Sequence, residues 1–236
     1  MVDGVIGIPC RLQGRTTLFW ESLEELERPP ATQVLIRRNN SVAQARNEIA
    51  AEALRLGAQW IWWLDDDLIF NPGTLMRMLQ RPESIVIGLS MMRMPATGGE
   101  IPTFRPLWSA ETHHGTKWAP VQEIVLEVNG LMRLRSGTGG GVLTRREVFE
   151  RVPQPWWAIG QYIPDMFWED IYFYDKCRQA GFEVWGDPSI KFGHDTTVTL
   201  WPYQDAAGQW YTMLARGFDP MLGEKWPEPV RTAVAV

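Results

Sequence analysis

The chain has few of the residues that staple small secreted folds or build zinc fingers. Its 236 residues include two cysteines and three histidines. Cys10 and Cys177 match no zinc-ligand spacing and read as buried thiols in a reducing compartment. No apolar run approaches the ~20 residues of a membrane span, and the start, with Asp3 and Gly4, lacks a basic and apolar signal region. The expected location is therefore the cytoplasm. No tandem repeat or low-complexity tract occurs. Positive charge is also short: a net charge of −5 and a pI near 5.3 disfavour a protein that coats nucleic acid through bulk charge.

What remains is an ordinary globular composition with a surplus of tryptophan, 13 in all. The length suits one large α/β domain and hardly two. Many tryptophans fall in segments that read as loops. Aromatics there make platforms for sugars or bases, although covering the core is the commoner use.

The central stretch is Trp60-Ile61-Trp62-Trp63-Leu64, with Asp65-Asp66-Asp67 immediately after it. The apolar run reads as a strand buried on both faces, and such a strand delivers the residues after it to the carboxyl edge of a sheet. Three adjacent carboxylates repel one another and need a counter-charge, for which a hard divalent cation is well suited. An acidic loop in solvent is the plain alternative. An EF-hand fits poorly, because Ile69 and Phe70 stand where a ligand and the glycine belong. A phosphatase with an aspartate nucleophile needs that residue on its first strand, whereas here a strand and a helix come before Asp65. A non-catalytic sugar-binding domain is the remaining alternative.

Around that centre the pattern alternates. Residues 5–9, ending at Pro9, read as the first strand, residues 11–15 as a polar loop containing Arg11, residues 16–28 as an amphipathic helix, and residues 34–36 as a second strand. Ser41 caps a helix that Gly57 ends, with Val42, Ala45, Ile49, Ala53 and Leu56 on one stripe. Arg46 projects close to that stripe, so its guanidinium needs an anion, either a protein carboxylate or a bound phosphate. Asn71-Pro72 opens another helix, residues 84–88 form a strand, and residues 91–117 read as irregular. His113 and His114, in that stretch, read as solvated. Residues 124–128 and 131–134 read as a hairpin turned at Asn129-Gly130.

The glycines at 137 and 139–141 allow close backbone approach, and their N–H groups can meet phosphate or sugar oxygens. They match neither the phosphate-loop lysine pattern nor the dinucleotide fingerprint. Residues 144–151 read as a helix. After an aromatic loop with Trp156, Trp157 and Tyr162 comes a helix opened by Glu169-Asp170 and closed at Gly181, its core face marked by Phe173, Tyr174 and Cys177. Asp170 shares that face. It is either a first-turn acid offsetting the helix dipole or a general base in a partly dry site. Residues 182–185 and 190–195 are further short segments, and residues 198–236 read as a lid or brace helix with a polar tail.

Taken together, the strand at 5–9, Ala45-Arg46-Asn47, Leu64-Asp65-Asp66-Asp67, the glycines at 137–141, Glu169-Asp170 and His194 stand in the order and spacing that resemble a GT-A glycosyltransferase. The closest likeness is to compact bacterial and bacteriophage members related to the inverting family two. The resemblance implies a Rossmann-like three-layer α/β/α sandwich with a mixed central sheet over residues 1–197. It implies a UDP-sugar donor and Mn²⁺ or Mg²⁺. Pro9, Arg11, Arg46, Asp65, Asp66, Gly139 and Gly140 would then face the donor, and Asp67 and His194, with Asp65, the metal. Asp170, beside Glu169, would be the catalytic base of an inverting transfer. The chain departs from many members in having no aspartate after its first two strands to read uracil.

For the acceptor, the aromatics Trp108, Trp118, Trp156, Trp157 and Tyr162 lie among Arg93, Arg105, Lys117, Arg133, Arg135, Arg145, Arg146 and Arg151. Aromatics with arginines suit a base lifted from a duplex, and some compact phage enzymes glycosylate hydroxymethylated pyrimidines. Hydroxymethylcytosine in phage DNA is thus the first expected acceptor and a cell-surface or capsular saccharide the second.

Overall fold

The computed structural model describes residues 2–10, 17–38, 41–93, 104–111, 118–120, 124–159, 168–195, 199–208, 210–215 and 230–232. In chain order, the first half holds β1 (Gly4–Cys10), α1 (Thr17–Glu24), β2 (Thr32–Arg38), α2 (Val42–Arg55), β3 (Trp60–Trp63), β4 (Leu68–Ile69), α3 (Thr74–Leu79), β5 (Ile85–Leu89), β6 (Met91–Arg93), β7 (Phe104–Pro106), β8 (Trp108–Glu111) and β9 (Trp118–Pro120). The second half holds β10 (Met132–Leu134), β11 (Ser136–Gly137), β12 (Val142–Arg145), α4 (Arg146–Arg151), α5 (Glu169–Gln179), β13 (Val184–Lys191), β14 (Gly193–Asp195), β15 (Thr199–Gln204), β16 (Trp210–Ala215) and β17 (Val230–Thr232).

Seven strands form the central sheet, in the order β10-β13-β5-β12-β3-β1-β2. β1 lies parallel to β2 and β3, and β13 parallel to β5, while β12 runs antiparallel between β3 and β5. The sheet is therefore mixed, as the resemblance implies. Alternation along β3 divides its bulk between two cores. Ile61 and Trp63 pack with Ala43, Ile49, Phe149 and Phe173 from α2, α4 and α5, whereas Trp60 and Trp62 pack with Phe19, Leu75 and Met78 from α1 and α3. Helices thus cover both faces, giving the three-layer α/β/α arrangement of the GT-A fold.

Local signals place several boundaries well. The Ser41 side chain accepts from the Gln44 N–H at 3.3 Å, and Gly57 takes φ +80° beyond α2. Asn129 and Gly130 both have positive φ, as the expected turn requires, but residues 124–127 form no strand and β10 pairs with β13 instead. Two helices are shorter than their sequence patterns suggest: α1 ends at Glu24, four residues before the expected end at residue 28, and Thr144 and Arg145 extend β12 before α4 begins. The stretch that reads as irregular, residues 91–117, contains β6, β7 and β8, and β9 begins just after it. The larger correction concerns the C-terminal region. No helix occurs among its described residues; β15, β16 and β17 join β14 and β4 in a five-stranded sheet. The signal for a strand there is the run of strand-favouring residues Thr199, Leu200, Trp201 and Tyr203, weakened by Pro202 within it.

Candidate active site

The carboxyl edge of the central sheet gathers the acidic residues. β3 ends at Trp63, whose carbonyl accepts from the Gly141 N–H at 2.8 Å, so the acidic run and the glycine-rich segment emerge side by side. α2, which comes after β2, starts at that same edge and supplies Arg46. α5 presents its first turn there, with Glu169 and Asp170.

Arg46 is the hub. It is 2% exposed, and its guanidinium donates to Asp65 Oδ1 at 2.9 Å, to Glu169 Oε1 at 3.0 Å and to Asp170 Oδ1. Of the two anions left open for Arg46, protein carboxylates are the partners found. The three carboxylates raise the guanidinium's affinity for its proton despite burial, which keeps it charged. Burial pushes Asp170 up to about 7, with the charges of Glu169 and Asp65 adding and Arg46 opposing. Asp65 is raised as well, chiefly by burial and then by Asp67, against the pull of Arg46.

The glycines explain themselves through this hub. A Cβ on Gly139 would collide with the Arg46 guanidinium, and one on Gly140 would stand 2.6 Å from Asp65 Oδ2 and 2.9 Å from its backbone nitrogen. The close approach read from the sequence is therefore to the floor of the site itself. The Tyr174 hydroxyl donates to the Thr138 carbonyl at 2.7 Å, tying this segment to α5.

The acidic triplet divides three ways. Asp65 turns to Arg46. Asp66 interacts with the Cys10 thiol at the end of β1, and burial with that carboxylate pushes the thiol up to about 11. Asp67 faces His194, with Nε2 at 3.6 Å from Oδ2. The pair is set by β4 and β14, where Leu68 opposes His194 and the Asp195 N–H donates to the Asp67 carbonyl at 2.7 Å. His194 Nδ1 lies 3.1 Å from the Met91 carbonyl, which can only accept, so Nδ1 carries a proton and Nε2 is the nitrogen turned to Asp67. Burial would lower the imidazole's proton affinity, but the Asp67 carboxylate outweighs it and the net shift is upward.

This donor set fits a hard cation that keeps waters and substrate phosphates among its ligands, as Mg²⁺ and Mn²⁺ do. Among the described residues, no three His, Cys, Asp or Glu side chains converge to cage an ion without such help. Asp65, expected with that pair, is instead engaged by Arg46. Pro9 lies buried in β1 opposite Arg37, and Arg11 falls outside the described residues.

The expected acceptor surface is largely reassigned. Trp108, Trp156 and Trp157 are at most 3% exposed and belong to the core, so they are not open platforms. Arg145 pairs with Trp60 at the amino end of β3, away from the acidic run, and donates to the Leu79 and Arg81 carbonyls. Arg146 and Arg151 bond carbonyls at the same side, Arg133 pairs with Glu127 and Glu183, and Arg135 pairs with Asp175. These five brace the fold. The side chains of Arg93, Arg105 and Trp118, together with Lys117, Tyr162, His113 and His114, lie outside the described residues. An exposed aromatic near the site that sequence reasoning misses is Trp168, 66% exposed and directly before Glu169.

No helix among the described residues is long and apolar enough to cross a membrane. In overall shape the chain is similar to the crystal structure of A197 from STIV, with a TM-score of 0.56 at 14% identity over 96% of this chain and all of that one. No curated protein sequence matches it. The family model described as Glycosyl transferase family 2 matches residues 14–152, more than half of the chain, and stops before α5 and β14. That stretch runs from before α1 through the acidic triplet and the glycine-rich segment to the end of α4, and on its evidence the chain belongs to glycosyl transferase family 2.

Proposed function

We propose that this glycosyltransferase moves a sugar from a UDP-sugar to an acceptor hydroxyl with inversion, using Asp170 as the base. The observation that carries the reading is that Arg46 holds Asp170 and Asp65 at once, so the proton-accepting carboxylate has a fixed relation to the acidic tip of β3. As the acceptor oxygen bonds to the anomeric carbon, its proton passes to an Asp170 oxygen. The bond from that carbon to the diphosphate oxygen breaks, and its electron pair leaves with the diphosphate. Attack from the face opposite the leaving group inverts the configuration. Glu169, also on Arg46, lies beside Asp170, and its charge adds to the burial that favours proton uptake on Asp170. Asp67 and His194 would hold a divalent cation, which neutralises charge on the departing diphosphate.

The acceptor best supported is an uncharged saccharide. Five of the basic residues that favoured a polyanion, Arg133, Arg135, Arg145, Arg146 and Arg151, brace the fold, and the carboxylates of Asp65, Asp67, Glu169 and Asp170 gather at the site. Trp168, beside the base, offers an open face on which a sugar ring can stack. The test is UDP release with Mn²⁺, together with mass spectrometry of two acceptors, an oligosaccharide pool and hydroxymethylcytosine-containing DNA. A one-sugar mass gain on the saccharide supports the reading. Gain on the DNA alone overturns the acceptor assignment, and phosphate release without a sugar nucleotide overturns the reaction.

A further inference from the structure

Asn47, next to Arg46 on α2, uses every hydrogen-bonding position of its side-chain amide. Its Nδ2 donates to the Ala43 carbonyl and to the Trp157 carbonyl, both at 2.8 Å, and its Oδ1 accepts from the Trp156 N–H at 3.0 Å and the Trp157 N–H at 3.2 Å. The amide therefore takes the place of a neighbouring strand for the backbone of residues 156–157. A loop backbone drawn into a core needs such partners, since an unpaired buried peptide group is costly.

What that grip positions is the Trp157 indole. It stacks on Phe173 of α5, with ring centroids 4.3 Å apart and planes at 14°, and it meets Trp63 of β3 edge-on at 4.8 Å. Trp63 lies two positions before Asp65, and Phe173 lies one turn after Glu169 and Asp170. One wedge thus sets the gap between the strand that delivers Asp65 and the helix that delivers Asp170. On its other side the loop is held by Lys176 of α5, whose Nζ donates to the Pro155 carbonyl at 2.6 Å and to the Pro153 carbonyl.

We infer that Asn47 is a positioning residue: by docking Trp157 between β3 and α5, it fixes the spacing at which Asp65 and Asp170 meet on Arg46. The inference rests on the transfer reading above for its kinetic consequence and on the loop geometry for its structural one. Asn47→Asp keeps the shape and the two accepting positions but replaces both donated bonds with repulsion against carbonyl oxygens. Asn47→Ala removes all four.

The test measures kcat per mole of UDP-binding protein, so that any misfolded fraction drops out, together with amide hydrogen exchange at Trp156 and Trp157. For Asn47→Asp and Asn47→Ala, kcat is expected to fall at least tenfold with donor affinity within threefold of the parent, and in Asn47→Ala, which removes the acceptor of both N–H groups, exchange at both amides is expected to be at least tenfold faster. Unchanged kcat in an active enzyme, donor affinity lost in step with kcat, or unchanged exchange in Asn47→Ala would each overturn the assignment. A parent protein that releases no UDP would sink the transfer reading instead, and the exchange result would still decide whether Asn47 holds the loop.

Discussion

His194 Nε2 stands 3.6 Å from Asp67 Oδ2, with the other ring nitrogen at the Met91 carbonyl, so Nε2 and the carboxylate face the same space. If a cation sits between them, removing either ligand weakens metal-dependent nucleotide binding. Asp67→Ala and His194→Ala are each expected to lower Mn²⁺-dependent UDP affinity at least about tenfold. Calorimetry with and without a chelator measures this, and wild-type-like affinity in both variants would remove the cation from this position.

Asp170, the proposed base, is expected to set the pH response. A base works only when ionised, and burial places this carboxyl at about 7, so the transfer rate is expected to rise with pH through about 7 and then level off. Asp170→Asn should bind donor normally and lose about 10² to 10⁴ in kcat. The folded state holds this proton more tightly than a carboxyl of ordinary value 3.8, so stability of the ligand-free protein declines as pH rises across that interval. A flat pH–rate profile would count against Asp170 as base.

Arg46 lies under three carboxylates. Arg46→Met leaves them facing one another without their counter-charge, and a loss of about 3 kcal/mol is expected, at the low end for a broken buried pair because the acids retain some access to water. Urea unfolding measures it. Arg46→Lys should recover only part of the loss, since an ammonium cannot match the guanidinium fork that serves three acceptors.

How much of the molecule is legible in its sequence varies with the kind of signal. β3, α2 and α5 can be read because their burial patterns and caps are local. The partners of Arg46 cannot, because the two anions open to it look the same until α5 is placed against α2. The loop tryptophans mislead for a related reason: Trp156 and Trp157 lie outside helices and strands, yet the Asn47 amide draws their backbone inward, a contact spanning residues far apart in the chain. The arginines mislead because nearness in sequence is not nearness in space, and β12 carries Arg145 to the opposite edge.

Gly140 offers a sharper test of the close approach at the site. A methyl group there would meet the Asp65 carboxyl and its backbone nitrogen, and backbone cannot swing aside. Gly140→Ala is expected to displace Asp65 from Arg46 and to reduce kcat/KM at least about tenfold, on the scale that small misplacements in an active site produce. Equal activity in this variant would mean that Asp65 tolerates movement.

Asp67 and His194 meet only across the short β4–β14 ladder, which joins an early segment of the polypeptide to a late one. During synthesis the acidic tip emerges from the ribosome long before the imidazole does. A nascent chain that has not yet reached residue 194 therefore carries only half of the proposed cation grip, and the pair is complete only once β14 has been made and has paired with β4.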